Sequence, residues 1–93
     1  MPYTILAKRT LAPKTVLFEI EAPQVAHKAK AGQFIILRVQ DQGERIPLTI
    51  AQANPERGTV TIVIQELGKT TFDLNRLEVG EAVLDFVGPL GKP

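Results

Sequence analysis

The sequence predicts an all-β domain, a small antiparallel barrel or sandwich of six short strands with one short helix. Three observations predict it. Apolar and β-branched residues recur at period two in short runs. Clusters of Gly, Pro, Asn and Asp separate those runs at intervals of about ten residues. The pattern changes to helical spacing only after Gly68.

The first run, Tyr3 to Leu11, mixes apolar and polar residues and ends at Ala12-Pro13-Lys14. Thr15 to Glu21 alternates, which places Val16, Phe18 and Ile20 on one face. Ala22-Pro23 ends that strand, because proline cannot donate a ladder hydrogen bond, and His27 to Ala31 reads as a basic connector. Gly32-Gln33 opens Phe34 to Val39, the most continuously apolar run. Asp41-Gln42-Gly43-Glu44 turns the chain into a strand from Arg45 to Ala51, and Asn54-Pro55-Glu56-Arg57-Gly58 turns it into Thr59 to Ile64. Phe72, Leu74 and Leu77 fall near helical spacing, so a helix is predicted near residues 70–77, with Thr70 or Thr71 as its N-cap and Gly80 as its stop. Ala82 to Val87 is the last strand.

Composition narrows the function. At 93 residues, 44% hydrophobic and 23% charged, the chain suits one domain with one core and is too apolar for disorder. It has no cysteine, which excludes a disulfide framework, a thiolate zinc site, a cysteine nucleophile and an iron–sulfur cluster held by these residues. A net charge of +1 is too balanced for a surface that coats nucleic acid or seeks a membrane, so any bound anion must be held locally. No signal-peptide core and no apolar run of membrane-spanning length occurs, which sets the expectation of a cytoplasmic domain without a membrane span. The aromatics Tyr3, Phe18, Phe34, Phe72 and Phe86 stand singly in apolar runs and read as core rather than a base-stacking platform.

Three segments can carry chemistry. In Arg45-Ile46-Pro47-Leu48-Thr49-Ile50 a guanidinium can offer two donors to a phosphate while the strand and the Thr49 hydroxyl face a flat ring; the plainer reading is a surface arginine on an edge strand blunted by Pro47. Gly68-Lys69-Thr70-Thr71, at a predicted helix start, combines free N–H groups, a cation and two hydroxyls, although threonine as a simple cap beside a turn glycine explains it equally. A P-loop is excluded, because Val63 stands where its first glycine belongs. Gly88-Pro89-Leu90-Gly91 marks a rigid turn. His27, the sole histidine, sits among lysines in a polar connector and reads as solvated; neither a metal-ligand spacing nor a nucleophilic triad is present.

Together with Ala31-Gly32-Gln33-Phe34, these segments in this order resemble the FAD-binding domain of the ferredoxin–NADP reductase superfamily, over the whole 93 residues. The nearest likeness is to the alpha subunit of the sulfide dehydrogenase type and to the electron-transfer subunit of dihydroorotate dehydrogenase. The resemblance implies a six-stranded antiparallel Greek-key barrel with FAD across its mouth. By position it implies Arg45 at the FAD pyrophosphate, Leu48 at the isoalloxazine with Pro47 beside it among the cofactor-binding residues, and the Thr49 hydroxyl near flavin N5 as the catalytic contact. Val63, Ile64 and Gln65 would follow the ribityl chain, and Gly68, Lys69, Thr70 and Thr71 would form the phosphate loop. Two departures stand out: the spacing from arginine to hydroxyl is one residue longer than the family's arginine-x-aromatic-Ser pattern, and Leu48 replaces an aromatic.

The likeness also implies that residues 1–93 are the N-terminal FAD domain of a longer oxidoreductase. NAD(P) and a [2Fe–2S] cluster would be bound by its remainder, and a partner subunit and a ferredoxin-type carrier would exchange electrons with it. The other class of function consistent with the sequence is a non-enzymatic β-barrel module that docks a protein or an oligonucleotide.

Overall fold

A computed structural model describes residues 3–93. Strands β1 (Tyr3–Ala12) and β2 (Thr15–Glu21) form the first hairpin, and helix α1 (Pro23–Lys28) follows. Strands β3 (Phe34–Arg38), β4 (Arg45–Asn54) and β5 (Thr59–Gln65) make a meander. Helix α2 (Lys69–Asn75) and strands β6 (Ala82–Val83) and β7 (Asp85–Leu90) complete the chain. The order across the sheet is β6-β1-β2-β5-β4-β3-β7, every pairing antiparallel. Because β2 lies beside β5 rather than β3, the path is a Greek key.

The nearly closed antiparallel barrel is the predicted fold class, with differences in detail. The run predicted as one last strand divides at Leu84. Ala82–Val83 pairs with β1 and Asp85–Leu90 with β3, so one segment joins both ends of the sheet and the strands number seven rather than six. Leu84 N–H, between them, donates to the carbonyls of Arg38 and Val39. There are also two helices. Pro23 ends β2 as predicted, but its fixed φ suits the first turn of a helix, and Pro23–Lys28 is helical where a connector was expected. Val25 and Ala26 of α1 are buried, while His27 and Lys28 occupy its last turn beside the negative end of the helix dipole. Helix α2 spans Lys69–Asn75 rather than 70–77, and its N-cap is Gly68, with Thr71 one turn inside.

The period-two reading of β2 holds: Val16, Phe18 and Ile20 are all buried. They meet Val60, Ile62 and Ile64 of β5, Ile35 and Leu37 of β3, and Leu74 of α2 in one core. Thr59, the buried polar residue, donates its hydroxyl to Glu19 Oε2 at 2.8 Å. Gly88 marks where β7 lies hard against β3: a Cβ there would stand 2.8 Å from Ile35 Cγ2 and 3.2 Å from the Phe34 carbonyl oxygen. Among the described residues no helix is long and apolar enough to cross a membrane.

Candidate functional site

The site begins with a ladder that stops. Strands β4 and β5 pair from Asn54↔Thr59 to Ile50↔Ile62, with a bulge between Ile50 and Gln52. Before Ile50, β4 pairs with β3 alone, from Arg45↔Arg38 to Thr49↔Phe34, while beyond Ile62 β5 continues with β2 to Gln65↔Thr15. The two strands splay and leave a cleft of about 560 Å³. Ile46 and Leu48 form one wall, Val63, Ile64 and Gln65 the other, and Leu67 to Thr71 close the end. Backbone groups along the facing edges have no ladder partner there, which makes them available to a ligand.

The closed end is organised by Thr71. Its hydroxyl accepts from the N–H groups of Leu67 and Gly68 at 2.9 and 3.0 Å and donates to the Gly68 carbonyl, folding the approach to α2 into a fixed loop. Phe72 N–H bonds the Gly68 carbonyl, so the N–H groups of Lys69, Thr70 and Thr71 lack intrahelical acceptors. Lys69 Nζ sits 2.8 Å from Asp73 Oδ2 on the same helix, and its side chain is 82% exposed. A cavity of about 340 Å³ continues past this end, sharing Glu44, Lys69 and Thr70 and adding Gln40, Gln42, Gly43 and Asp73.

Gly68 supplies a further observation. Its backbone is extended, with φ −155° and ψ −172°, a conformation open to any residue, and an added Cβ would meet no atom within 4 Å. The fold therefore does not itself require glycine here. The space a side chain would take is left open at the cleft wall.

Eight of the predicted site residues meet at this cleft: Leu48, Val63, Ile64, Gln65, Gly68, Lys69, Thr70 and Thr71. Arg45, Pro47 and Thr49 do not line it. They alternate with Ile46 and Leu48 along β4 and face the other way, all three exposed. Arg45 there forms a cross-strand row with Arg38 and Asp85. Asp85 Oδ2 accepts from Arg38 Nε at 2.8 Å and from Arg45 Nη2 at 3.4 Å. The Thr49 hydroxyl has no partner among the described residues. Ile46, Glu44 and Leu67 line the cleft without having been singled out; the parity of Ile46 with Leu48 was the available signal. No cluster of His, Asp or Glu suited to a metal occurs among the described residues.

A Greek-key barrel whose mainly apolar cleft ends in free backbone donors and a cation has the room and the donors for an elongated, anionic ligand. The family model for the oxidoreductase FAD-binding domain matches residues 2–93, and the chain belongs to that family. It is 43% identical over 89 residues to a Thermotoga maritima homologue of the electron transfer subunit of dihydroorotate dehydrogenase B (NAD(+)), covering 96% of this chain and 32% of that protein. It is 34% identical over 84 residues to the gamma subunit of sulfhydrogenase 1 from Pyrococcus furiosus, covering 88% and 28%. Among solved structures, that of an NADH-dependent reduced ferredoxin-NADP oxidoreductase superimposes with a TM-score of 0.97 at 41% identity, covering 100% of this chain and 34% of that one. The chain thus spans about a third of the length of these relatives. It is an FAD-binding oxidoreductase domain related to electron-transfer subunits of NAD-dependent flavoproteins.

Proposed function

We propose that the cleft between β4 and β5 is where this domain holds FAD, with the ring toward Leu48 and Thr49 and the pyrophosphate toward Gly68–Thr71. The observation that carries the reading is the open space at Gly68, beside N–H donors that the helix leaves unused. The residues fit the cofactor. Leu48 and Val63 present apolar surface that excludes water from one half of the cleft, whereas Gln65, Lys69 and Thr70 supply donors to the other. Ile46 occupies a wall position, so phosphate charge is met there by the loop and Lys69. Arg45, exposed and loosely held on Asp85, acts from beyond the free edge of β4.

FAD held here would supply hydride and single-electron transfer, chemistry that is the cofactor's own. The chain's contribution is to bind and orient. The free hydroxyl of Thr49 is the group we assign to flavin N5, to which it would donate a hydrogen bond while that atom is unprotonated. Pro47 holds its neighbours in the extended conformation through its fixed φ.

The relatives' length and printed names support placing residues 1–93 as the FAD domain of a longer oxidoreductase, for which we propose a cytoplasmic location. In that protein NAD(P) and a [2Fe–2S] cluster are bound by other parts, and a partner subunit and a ferredoxin-type carrier exchange electrons with it. The non-enzymatic docking module finds no observation in its favour. Phe18 and Phe86 are core residues and Tyr3 packs on Phe86 with ring centroids 5.8 Å apart, whereas Phe72, expected in the core, is 45% exposed on α2 because it lies off the face that buries Leu74; Arg76 lies over its ring, and one exposed ring is no base-stacking platform.

Titrating the 93-residue chain with FAD, followed by flavin fluorescence and by melting temperature, tests the reading. Saturable binding is expected, with stabilisation of about 2.7 kcal/mol at 100 times Kd. A folded chain that takes up no FAD refutes it.

A further inference from the structure

Lys8 lies on β1, far in sequence from every residue of the cleft. Its ammonium nevertheless donates to the carbonyls of Asn75 and Leu77 at 2.7 and 2.9 Å and reaches Glu78 Oε2 at 3.4 Å. The ammonium lies 5.6 Å from the centroid of the Phe18 ring, and the side chain is only 15% exposed. A lysine spent on two main-chain carbonyls at the end of a helix is a tether for that helix.

Helix α2 needs one. Seven residues are too few to be stable alone. α2 is fixed to the barrel by the burial of Leu74, by the packing of Leu77 just past its end against the core, by a hydrogen bond from Asn75 Nδ2 to Glu66 Oε2 at 3.0 Å, and by Lys8, the one cation among these ties. Leu74 can act as a pivot, whereas Lys8 grips the C-terminal end, where a cation also complements the helix dipole. The opposite end of the same short helix, with Leu67 and Gly68, is the end wall of the cleft. β1 is paired with both β2 and β6, so Lys8 joins α2 to a strand held on both sides.

We propose that Lys8 is a positioning residue for the cofactor cleft: by holding the C-terminal end of α2 against β1 it sets where Leu67–Thr71 stand. The inference rests on the reading that this wall meets the pyrophosphate of FAD. Loss of the ammonium lets α2 pivot on Leu74 and loosens the wall, and the cost falls on a ligand that has phosphates. Riboflavin, which lacks them, is the comparison ligand.

The test titrates FAD and riboflavin into the 93-residue chain and its Lys8→Met variant, which keeps an apolar stem against Phe18. Amide exchange is followed in parallel. Expected are a roughly tenfold loss of FAD affinity with riboflavin within about twofold, faster exchange at Leu67, Gly68 and Phe72, whose N–H groups are hydrogen-bonded in the wall, with the strands still protected, and no change for Glu78→Gln, which keeps both carbonyl bonds. Unchanged FAD affinity in a folded Lys8→Met chain overturns the proposal, as does an equal loss for both ligands, which marks a general structural role. If the methionine variant does not fold, Lys8→Gln, which retains one donor, must show the same FAD-selective loss in smaller measure. Lys69→Glu separates the two levels: if it leaves FAD affinity untouched, the reading of the wall fails whatever Lys8 does.

Discussion

Replacing Gly68 with alanine separates what the fold needs from what the ligand needs. The glycine backbone is extended, and the new methyl would touch nothing within 4 Å. The three hydrogen bonds that shape the loop use only Thr71 and backbone atoms of Leu67 and Gly68, so all survive. Alanine restricts the unfolded chain, a gain of about 0.4–1 kcal/mol, and is a poorer N-cap than glycine by a similar amount. Stability should therefore stay within about 0.5 kcal/mol and the melting temperature within about 4 °C. In the complex the methyl occupies the space along which the phosphates approach, and overpacking costs about 1–3 kcal/mol. That corresponds to roughly a 5- to 150-fold loss of FAD affinity. Thermal melts without ligand and fluorescence titrations with FAD read the two effects separately. An unchanged melting temperature with unchanged FAD affinity refutes the assignment of that space to the ligand, and a marked fall in melting temperature refutes the claim that the fold is indifferent to glycine there.

Thr49→Val removes a hydroxyl that has no partner among the described residues, on an exposed strand position suited to a β-branched residue. Folding should be unaffected, while loss of a hydrogen bond worth about 1 kcal/mol in one redox state shifts the two-electron flavin potential by about 20 mV. A spectroelectrochemical titration that finds the wild-type potential removes Thr49 from the site. Lys69→Glu places a second carboxylate beside Asp73 and the phosphates, and we expect FAD affinity to fall about tenfold, with the melting temperature little changed for a side chain 82% exposed. Isothermal titration gives the answer, and equal affinities would contradict the loop's role. Gly88→Ala is the opposite case to Gly68→Ala: its methyl meets Ile35 Cγ2 at 2.8 Å, so a stability loss of about 1–3 kcal/mol is expected in denaturant melts, and an undiminished midpoint would show that β7 can move off β3.

Much of the barrel was readable because Val16, Phe18 and Ile20 in β2 and Val60, Ile62 and Ile64 in β5 recur at period two and the turns carry Pro, Asn and Gly at the needed places. The Asn54 turn shows why: Asn54 Oδ1 accepts from the N–H groups of Glu56 and Arg57, a local device that its residue type announces. Helix α1 was not readable. Six residues with two buried apolar positions show no 3.6 period, and Pro23, read as the end of a strand, is also the start of the helix. The division at Leu84 escaped because one apolar run can pair with two different strands, and only tertiary contacts choose. At the site, glycine followed by hydroxyls marked a loop that the fold brings to the end of the cleft, whereas strand parity, which a contiguous motif does not carry, sends Ile46 and Leu48 to one side and Arg45, Pro47 and Thr49 to the other.

That parity need not divide the site in two. Between Arg45 and Thr49, β4 has β3 on one side and no ladder partner toward β5, so its edge is free. A ligand lying along a free strand edge is flanked by both faces of the strand: Ile46 and Leu48 from within the cleft, and Thr49 and Arg45 from the outer face. In the proposed reading the two sets are therefore the two sides of one edge. The apolar set excludes water from the cleft, and the polar set addresses the ring and the charge from outside it. The bulge between Ile50 and Gln52 is where β4 leaves β5 and this edge begins, which ties the position of the site to a backbone irregularity rather than to any single side chain.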